Sequence, residues 1–522
     1  MSQRADLILV SARIWDGTEL AADAIAIADG LVVATGSSRE ILGLVSEATE
    51  VLDVGGRRVI PGLIDSHIHM IRAGLTWNEE VRWETVGSLH QGLDSISGRA
   101  DAVEPGRWIA AVGGWHPSKL AEGRPPERAD LDGVAPDHPV FVQRNYVEAF
   151  MNSRALQEMG WMEQHPDGHV TDPAAMAALR DKLHRDDPES QAAATADMLR
   201  ELNRHGLTGA IDAAGFGMSK ASYDPLFRLF SGTERGFRIR LLVGASRPGA
   251  ENDDLATWIG EVSPGQGDDF VRYLGAGEVL LYAAHDMEGL HPKDISAHVP
   301  DLARLSAHLA DRGWPTHVHA ILDSSVGSVL DAWEKVSPSS RLADLRFTIC
   351  HADQVGEENL RRIEDMGLGV TVQAGMAFRR GDSARSWTES QLRASPPLRR
   401  LLDLSVPLGA GSDGTVAASF HPWQCIQWMV SGEAVDGSAA WDEEQRLSIE
   451  EALRLYTTGS AWFSFEEQTR GNLRVGSHAD LAVLTADPLR VSSQSLAAIE
   501  SVMTIVGGEV VHTTGEAGKV QS

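Results

Sequence analysis

Between about residues 60 and 465 the chain alternates short apolar runs with helical stretches, and this alternation is the feature that most limits its fold. The helical stretches include VPDLARLSAHLADRG (299–313) and SSVGSVLDAWEKV (324–336). The strand-like runs are VIPGLIDSHIH, LTGAIDAAG, RIRLLVGAS, FVRYLGAGEVLLY, WPTHVHA, RFTICHAD, LGVTVQA and VPLGAGSD. Eight strands that alternate with helices predict a (β/α)8 TIM barrel of the α/β class, whose chemistry lies on loops at the carboxyl ends of the strands.

The rest of the chain divides into an insertion and two β-rich ends. The first interval of the barrel, about residues 74–206, is far too long for one crossover, and we interpret it as an insertion after the first barrel strand. Short apolar segments separated by Asp-Gly and Gly-Gly turns fill residues 1–58, and similar segments return in 468–522. We therefore expect both ends to build one small β-sandwich domain beside a barrel of residues 59–467.

Composition limits the partners that the chain can have. With 522 residues, the chain is long enough for a large core, and its net charge of −28 argues against nucleic acid or an anionic membrane as a partner. No apolar run approaches the roughly 18 residues of a membrane span, and the first residues do not resemble a signal peptide. The two cysteines form no CxxC pair, which fits a reducing cytoplasm. These features predict a cytoplasmic protein with a small-molecule substrate, and they leave a homo-oligomer open.

Histidines and carboxylates fall at the ends of the predicted barrel strands. One strand-end histidine is more often a core residue than a ligand, but several at matching ends are hard to explain in that way. Imidazole and carboxylate are the expected ligands of Zn²⁺ and similar divalent ions, so the pattern predicts a metal site. The candidate ligands are His67, His69, Glu278, His319, His351 and Asp413.

Four of these segments resemble the signatures of a known family. PGLIDSHIH, VHAILDSSVGSVLDAWE, RFTICHADQV and LGAGSD look like those of the amidohydrolase superfamily. The branch is amidohydrolase family 3, which includes N-substituted formamide deformylase-like enzymes. The resemblance covers nearly the whole chain, because GNLRVGSHADLAVLTADP matches the family's closing pattern. It implies two Zn²⁺ ions per chain, one held by His67, His69 and Asp413 and the second by His319 and His351.

The fourth barrel strand departs from the family pattern. Many relatives use a carboxylated lysine there to bridge two metals, but no lysine occurs between Lys220 and Lys293. Glu278 is the natural replacement, because a carboxylate offers the two oxygens that a lysine carbamate would. Asp286 and Glu288 are rivals for this role, and the number of bound ions stays open.

Several further side chains are weaker candidates. His317 could share a face with His319, although the family pattern favours His319. Ordinary packing explains the candidates for the substrate pocket at least as well as binding does; they are Trp115, His116, Asn145, Gln373 and Arg379. The histidines expected to be structural or exposed are His285, His291, His298 and His308.

The resemblance implies hydrolysis of a C–N bond of the amide type in a small molecule, such as an N-substituted amide or a cyclic imide. A metal-activated hydroxide would attack the carbonyl carbon, and Asp413 would pass the proton to the leaving nitrogen. One alternative is a heterocycle deaminase, in which a glutamate typically follows the histidine of the fifth strand by three residues. Here Leu322 occupies that place and Asp323 follows. A metal-dependent isomerase or decarboxylase, or an inactive assembly protein, also stays open.

Overall fold

The computed structural model describes residues 4–146, 148–183, 187–232, 235–286, 293–336, 341–439, 441–515 and 518–519. Within these ranges the chain is a mixed α/β protein. Its strands are β1 (Leu7–Val10), β2 (Arg13–Ile14), β3 (Ala24–Ala28), β4 (Leu31–Gly36), β5 (Glu50–Asp53), β6 (Arg58–Pro61), β7 (Leu63–Ile68), β8 (Glu80–Val81), β9 (Ile109–Val112), β10 (Val140–Arg144), β11 (Glu148–Met151), β12 (His169–Val170), β13 (Leu207–Asp212), β14 (Arg238–Val243), β15 (Val271–Ala276), β16 (His317–Ala320), β17 (Thr348–His351), β18 (Gly369–Gln373), β19 (Leu408–Gly411), β20 (Leu481–Leu484), β21 (Ser501–Val506), β22 (Glu509–Thr513) and β23 (Gly518–Lys519).

Helices occupy most of the connections between these strands. They are α1 (Ser38–Ile41), α2 (Met70–Thr76), α3 (Leu89–Ala102), α4 (Arg128–Val134), α5 (Ser153–Met159), α6 (Pro173–Arg180), α7 (Pro188–Arg204), α8 (Asp224–Phe230), α9 (Glu251–Glu261), α10 (Val299–Asp311), α11 (Asp323–Val336), α12 (Arg341–Asp344), α13 (Glu357–Asp365), α14 (Gly375–Ser383), α15 (Glu389–Arg393), α16 (Leu398–Asp403), α17 (Pro422–Ser431), α18 (Ile449–Arg454) and α19 (Ser460–Trp462). None of them, within the described part of the chain, has the length and apolar character needed to span a bilayer.

Eight parallel strands form the centre of the molecule. β7, β13, β14 and β15 make one sheet, and β16, β17, β18 and β19 make another. A parallel bridge between Ala276 and Thr316 connects β15 with β16. Beyond β19, the Asp413 N–H donates to the His67 carbonyl at 2.9 Å, which places the end of β19 beside the end of β7. The carboxyl ends of these eight strands therefore lie on the same side of the molecule.

The burial patterns of the central strands and of the helices between them fit this arrangement. Every residue of β7, β13 and β14 is buried, as is usual for parallel strands that helices cover on both faces. In α10, the buried side chains Leu302, Leu305 and Leu309 recur every three to four residues, so this helix presents one apolar face to the strands. Helix and strand periods thus alternate along the chain as the fold requires.

The segment between β7 and β13 builds a sheet of its own. This sheet has the strand order β12-β11-β10-β9-β8, and helices α3 to α7 belong to the same segment. Asp187 begins α7 by accepting hydrogen bonds from the N–H groups of Glu189 and Ser190, and Pro188 occupies the first turn, where it needs no donor. This segment coincides with the interval for which the sequence predicts an insertion.

The two ends of the chain share two further sheets. One has the order β23-β5-β1-β3-β4 and the other β2-β6-β20-β21-β22, so each sheet contains strands from both ends. Their apolar side chains form a common core that includes Leu9, Ile27, Leu481, Val483 and Ile505. A single residue, Gly62, separates β6 from β7, so this region connects directly to the central strands.

A buried group of charges joins β14 to the segment that follows α19. Arg238 donates to Asp480, with its Nε 2.7 Å from Oδ2. Arg240 binds Glu466 through two hydrogen bonds of 2.8 and 2.6 Å, and the Arg470 Nη1 reaches the same carboxylate at 3.0 Å. These five side chains are almost completely removed from solvent, so each charge depends on its partners.

Candidate metal centre

The carboxyl ends of β7 and β19 are held side by side, which brings candidate ligands from the two strands together. Asp65 on β7 accepts hydrogen bonds from the His67 N–H at 3.0 Å and from the Ser412 N–H at 3.1 Å, and so fixes the two strand ends side by side. Asp413 follows with a φ of +56°, a left-handed conformation that aspartate tolerates better than most residues. The turn brings its carboxylate next to the histidines of β7.

Glu278, just beyond β15, stands among four imidazole rings. Its Oε1 lies 3.3 Å from the Nε2 of His69. Its Oε2 lies 3.4 Å from the His67 Nε2, 3.3 Å from the His319 Nδ1 and 3.2 Å from the His351 Nε2. The two oxygens of one carboxylate thus face different histidines, which is the arrangement that a bridging ligand needs.

Asp413 approaches this group from the side of β19. Its Oδ1 lies 3.1 Å from the His69 Nε2 and 3.8 Å from the His67 Nε2. All six candidate ligands are buried. The structure therefore brings together the whole set that the sequence predicts.

Neighbouring groups orient two of the imidazoles. The His69 Nδ1 lies 2.7 Å from the carbonyl oxygen of Ala214, so a proton on Nδ1 would leave Nε2 free to bind metal. The His319 Nε2 lies 2.8 Å from the Asp286 Oδ1, which leaves its Nδ1 facing Glu278. Asp286 thus contacts a ligand and does not occupy the bridging position, whereas Glu288 lies outside the described residues.

The pKa values in this group reflect burial and the nearby charges. Burial lowers the pKa of His67 to about 3, although Glu278 opposes the shift. Burial would also lower the pKa of His319, but its contacts with Asp286 and Glu278 raise it to about 10. Burial would raise the pKa of Glu278, yet the imidazoles around it, His67 first, hold it well below its ordinary value. A buried carboxylate is stable in its charged form only beside positive charge, which a bound cation would supply.

The donors fit a metal ion. Three overlapping groups each offer three ligand atoms that lie within 4.8 Å of one another: His67, His69 and Asp413; His67, Glu278 and His351; and Glu278, His285 and His319. Several imidazole nitrogens of these groups have no hydrogen-bond partner among the described residues. They include the two ring nitrogens of His67 and the Nδ1 of His351. Buried imidazole nitrogens without partners, beside two carboxylates, form a donor set suited to a divalent transition metal.

His285 is closer to this centre than the sequence indicated. Its ring stacks on that of His319 with a centroid distance of 3.5 Å, and the side chain is buried. His317 is also buried but packs against Phe463, with neither ring nitrogen hydrogen-bonded to a described residue. His298 is partly exposed and His308 is exposed, as expected. His291 lies outside the described residues.

Two of the pocket candidates from the insertion have structural contacts. The sequence left Trp115 open between packing and the pocket, and its indole packs between Trp83 and Phe150 in the core of the insertion. His116 contacts Asp382 of α14, with Nε2 3.1 Å from Oδ2. It therefore joins the insertion to the helix that follows β18.

The remaining pocket candidates differ in what surrounds them. Asn145 has a φ of +51°, and its carbonyl oxygen accepts a hydrogen bond from the Gln143 Nε2 at 2.6 Å. Gln373 ends β18 and is buried, and neither polar atom of its amide has a hydrogen-bond partner among the described residues. Arg379 lies in α14, and its side chain is outside what the structure describes. Of the three, Gln373 keeps polar atoms available at a strand end.

A cavity of about 170 Å³ opens beside His69. Its walls include Tyr146 and Arg180 from the insertion and Phe216 from the loop after β13. None of these three was among the pocket residues predicted from the sequence. The one available signal was that a long insertion near the strand ends had to contribute part of the wall.

The carboxylate next to the position that would distinguish a deaminase has a structural role. Asp323 begins α11, and its Oδ1 accepts hydrogen bonds from the Gly356 N–H at 2.7 Å and from the Asn359 Nδ2 at 2.8 Å. It therefore ties α11 to α13. Leu322, in the place of the deaminase glutamate, cannot exchange a proton.

Comparison with known proteins agrees with this geometry. A family model described as "Amidohydrolase family" matches residues 50–512. N-substituted formamide deformylase from Arthrobacter pascens is 25% identical over 548 aligned residues, which cover 97% of this chain and 98% of that protein. Among solved structures, an uncharacterized metal-dependent hydrolase from Pyrococcus furiosus has a TM-score of 0.67 at 22% identity, covering 93% of this chain and all of that one. An adenosine deaminase from Xanthomonas campestris with bound zinc has a TM-score of 0.56 at 16% identity, with 99% and 95% covered. The two structural likenesses show a shared fold.

Proposed function

The chain belongs to the amidohydrolase family, and we propose that it is a metal-dependent hydrolase that cleaves a non-peptide C–N bond of the amide type in a small molecule. The observation that carries this proposal is Glu278, whose two oxygens lie within 3.4 Å of nitrogens from four histidines. Such a carboxylate fits a bridge between two ions. The family predicted from the sequence is confirmed by the match of the family model.

The proposed architecture is a closed (β/α)8 barrel with a small β-sandwich domain. Support for closure comes from the bridge between Ala276 and Thr316 on one side and from the hydrogen bond between Asp413 and His67 on the other. In this proposal the sandwich comprises residues 1–58 and 468–522, and the barrel with its insertion comprises 59–467. The active site then lies at the carboxyl ends of the barrel strands.

We propose that this centre holds two zinc ions. One would be bound by His67, His69 and Asp413 and the other by His319 and His351, with Glu278 shared between them. An ion there would supply an activated water and polarise the substrate carbonyl oxygen. The chain's own residues fix the donor atoms, exclude bulk water and neutralise the buried charges.

Asp413 is the proposed proton carrier. Its Oδ1 faces two of the four imidazoles around Glu278, those of His67 and His69, and lies 3.1 Å from the His69 Nε2. A carboxylate in this place can take a proton from the attacking water and deliver it to the leaving nitrogen. An N-substituted amide is the proposed substrate type, which extends to this chain the name of its deformylase relative.

Metal content and product analysis test the proposal together. Purified protein reconstituted with zinc should contain close to two ions per chain by elemental analysis. A panel of N-substituted amides, cyclic imides and lactones, with products identified by mass spectrometry, should yield amine and carboxylic acid from amides. Protein that binds no metal, or that converts no amide when metal-replete, would contradict the proposal.

A further inference from the structure

The cavity beside His69 contains a half-buried arginine, Arg180, with a side-chain nitrogen that no described residue binds. Arg180 is the last residue of α6, and the insertion brings it into the same cavity wall as His69. Its Nη1 is buried and has no hydrogen-bond partner among the described residues. A buried guanidinium atom without an acceptor costs free energy unless a ligand provides one.

No charged group of the cavity, Asp181 included, accepts a hydrogen bond from the Arg180 Nη1 among the described residues. Arg72 donates to Glu80 at 2.7 Å and also to Thr415. Glu80 is already held by Arg72, Arg82 and Thr76. Burial, together with the nearby Arg72, holds the pKa of Arg180 below its usual range, and Tyr146, Asp181 and Glu80 offset only part of this effect. The acidic groups near Arg180 therefore leave its Nη1 without an acceptor among the described residues.

The rest of the cavity suits a small apolar body. The rings of Tyr146 and Phe216 lie 5.8 Å apart in an edge-to-face arrangement, and the guanidinium carbon of Arg180 lies 5.8 Å from the centre of the Tyr146 ring. Leu75 and Met218 complete the apolar wall. A volume of about 170 Å³ is close to that of the engineered cavity of about 150 Å³ that accepts benzene. The space admits a short chain or one ring.

We propose that Arg180 binds a carboxylate of the substrate, so that the enzyme acts on amides that carry a carboxylate a few bonds from the C–N bond, as N-acylated amino acids do. This inference rests on the proposed function. A guanidinium is rigid and presents paired N–H donors that match the two oxygens of a carboxylate. His69 and Arg180 line one cavity, so a molecule bound to Arg180 would extend towards the metal centre.

A matched pair of substrates tests the proposal. N-formylglycine and N-ethylformamide share the amide bond and differ in the carboxylate. With zinc-loaded wild-type protein, we expect kcat/KM for N-formylglycine to exceed that for N-ethylformamide at least about tenfold, because hydrogen bonds to charged groups are among the strong ones. Arg180→Gln should lower kcat/KM for N-formylglycine about 10- to 100-fold and leave N-ethylformamide within about twofold.

Two control variants separate recognition from general charge. Arg180→Lys keeps the charge but loses the paired donors, and should recover only part of the loss. Arg154→Gln removes an exposed arginine from α5 of the same insertion and should change neither substrate. An equal preference for both substrates, or an equal loss of both in Arg180→Gln, would overturn the proposal.

Binding and stability provide readouts that do not depend on turnover. Calorimetry of zinc-loaded protein should show that Arg180→Gln weakens propionate about tenfold or more but leaves propionamide unchanged. The melting temperature of Arg180→Gln should equal or exceed that of wild type, whereas a fall of several degrees would reveal a structural partner and overturn the proposal. If no amide is hydrolysed, the proposed function fails, and an unchanged affinity for propionate would separately refute the role of Arg180.

Discussion

Glu278 has a geometry that its acidic neighbour Asp286 lacks. The two Glu278 oxygens face nitrogens of different histidines. Asp286 instead contacts His319 on the side away from Glu278, and it accepts hydrogen bonds from the backbone N–H groups of Ile321 and Leu322. One carboxylate is placed to bind metal, and the other is placed to orient a ligand.

Glu278→Gln should therefore lose metal more severely than Asp286→Asn. A neutral amide replaces a charge shared by two cations poorly, so we expect no more than one zinc ion per chain to survive dialysis. Asp286→Asn should keep both ions at about 10- to 100-fold weaker affinity, as is usual when the partner of a ligating histidine is lost. Elemental analysis and competition with a chelator measure both quantities. Normal metal content in Glu278→Gln, with loss in Asp286→Asn, would reverse the two roles.

Asp413→Asn tests the proton carrier. The amide cannot accept a proton at neutral pH, so turnover by folded, metal-replete variant should fall by about 10² to 10⁴. Metal content must be measured on the same sample, because Asp413 lies in the donor set. Turnover near that of wild type would exclude Asp413 as the proton carrier. Loss of metal from the variant would instead show that Asp413 acts mainly as a metal ligand.

The structure brings together the candidate ligands that the sequence names, whereas the side chains of the cavity wall could not be predicted, for a physical reason. The ligands follow buried apolar strands, whose parallel order predicts that their ends meet. Phe216 and Arg180 instead reach the cavity from a loop and from a helix of the insertion, and their placement depends on long-range packing that leaves no local pattern. The sequence left the role of Trp115 open for the related reason that a tryptophan in a glycine-rich loop packs into a core as readily as it lines a pocket.

At the scale of elements, the buried charges beside β14 connect the central strands to the last segment of the chain. Glu466 receives hydrogen bonds from Arg240 and Arg470. Burial would raise the pKa of Glu466, but Arg470 and Arg240 hold it well below its ordinary value. Its contribution to stability is thus present above a pH of about 4.5 and is lost as the pH falls through the lower pKa of the folded state.

Glu466→Gln should destabilise the protein by about 3–5 kcal/mol at pH 7, because it leaves two buried guanidinium groups without their anion. The difference from wild type should narrow as the pH falls below about 4.5, because the carboxyl group of the unfolded chain then takes up a proton while the folded carboxylate stays charged. Urea unfolding at pH 7 and at pH 3.5 measures this change. Glu467→Gln is the matched control, because Glu467 pairs with Arg346 in a more exposed place and should cost about 1 kcal/mol or less. A pH-independent difference for Glu466→Gln would show that its charge does not carry the effect.

At the scale of the whole molecule, the sheets at the chain ends depend on residues far apart in sequence. β20 pairs with β6 on one side and with β21 on the other. Short apolar segments at both ends of the sequence predicted a shared sheet texture, but strand order could not be predicted, because pairing partners are set by packing and not by local composition.

Removal of residues 468–522 should therefore yield insoluble protein. The truncation takes β20 to β23 away and exposes one edge of β6 together with the apolar core that includes Leu9 and Ile27. Expression at low temperature, followed by centrifugation and size-exclusion chromatography, measures the soluble fraction. A soluble truncated protein with metal bound would contradict the proposed division into domains.

The pairing of β6 with β20 also governs when the enzyme can mature during synthesis. β6 leads directly into β7, which carries His67, yet its partner strand begins only at Leu481. A ribosome must therefore complete most of the chain before the strand that precedes the first ligands gains its neighbour. Until β20 is synthesised, β6 keeps one unpaired strand edge. The nascent chain is therefore exposed to aggregation and to chaperone binding for most of the time of translation.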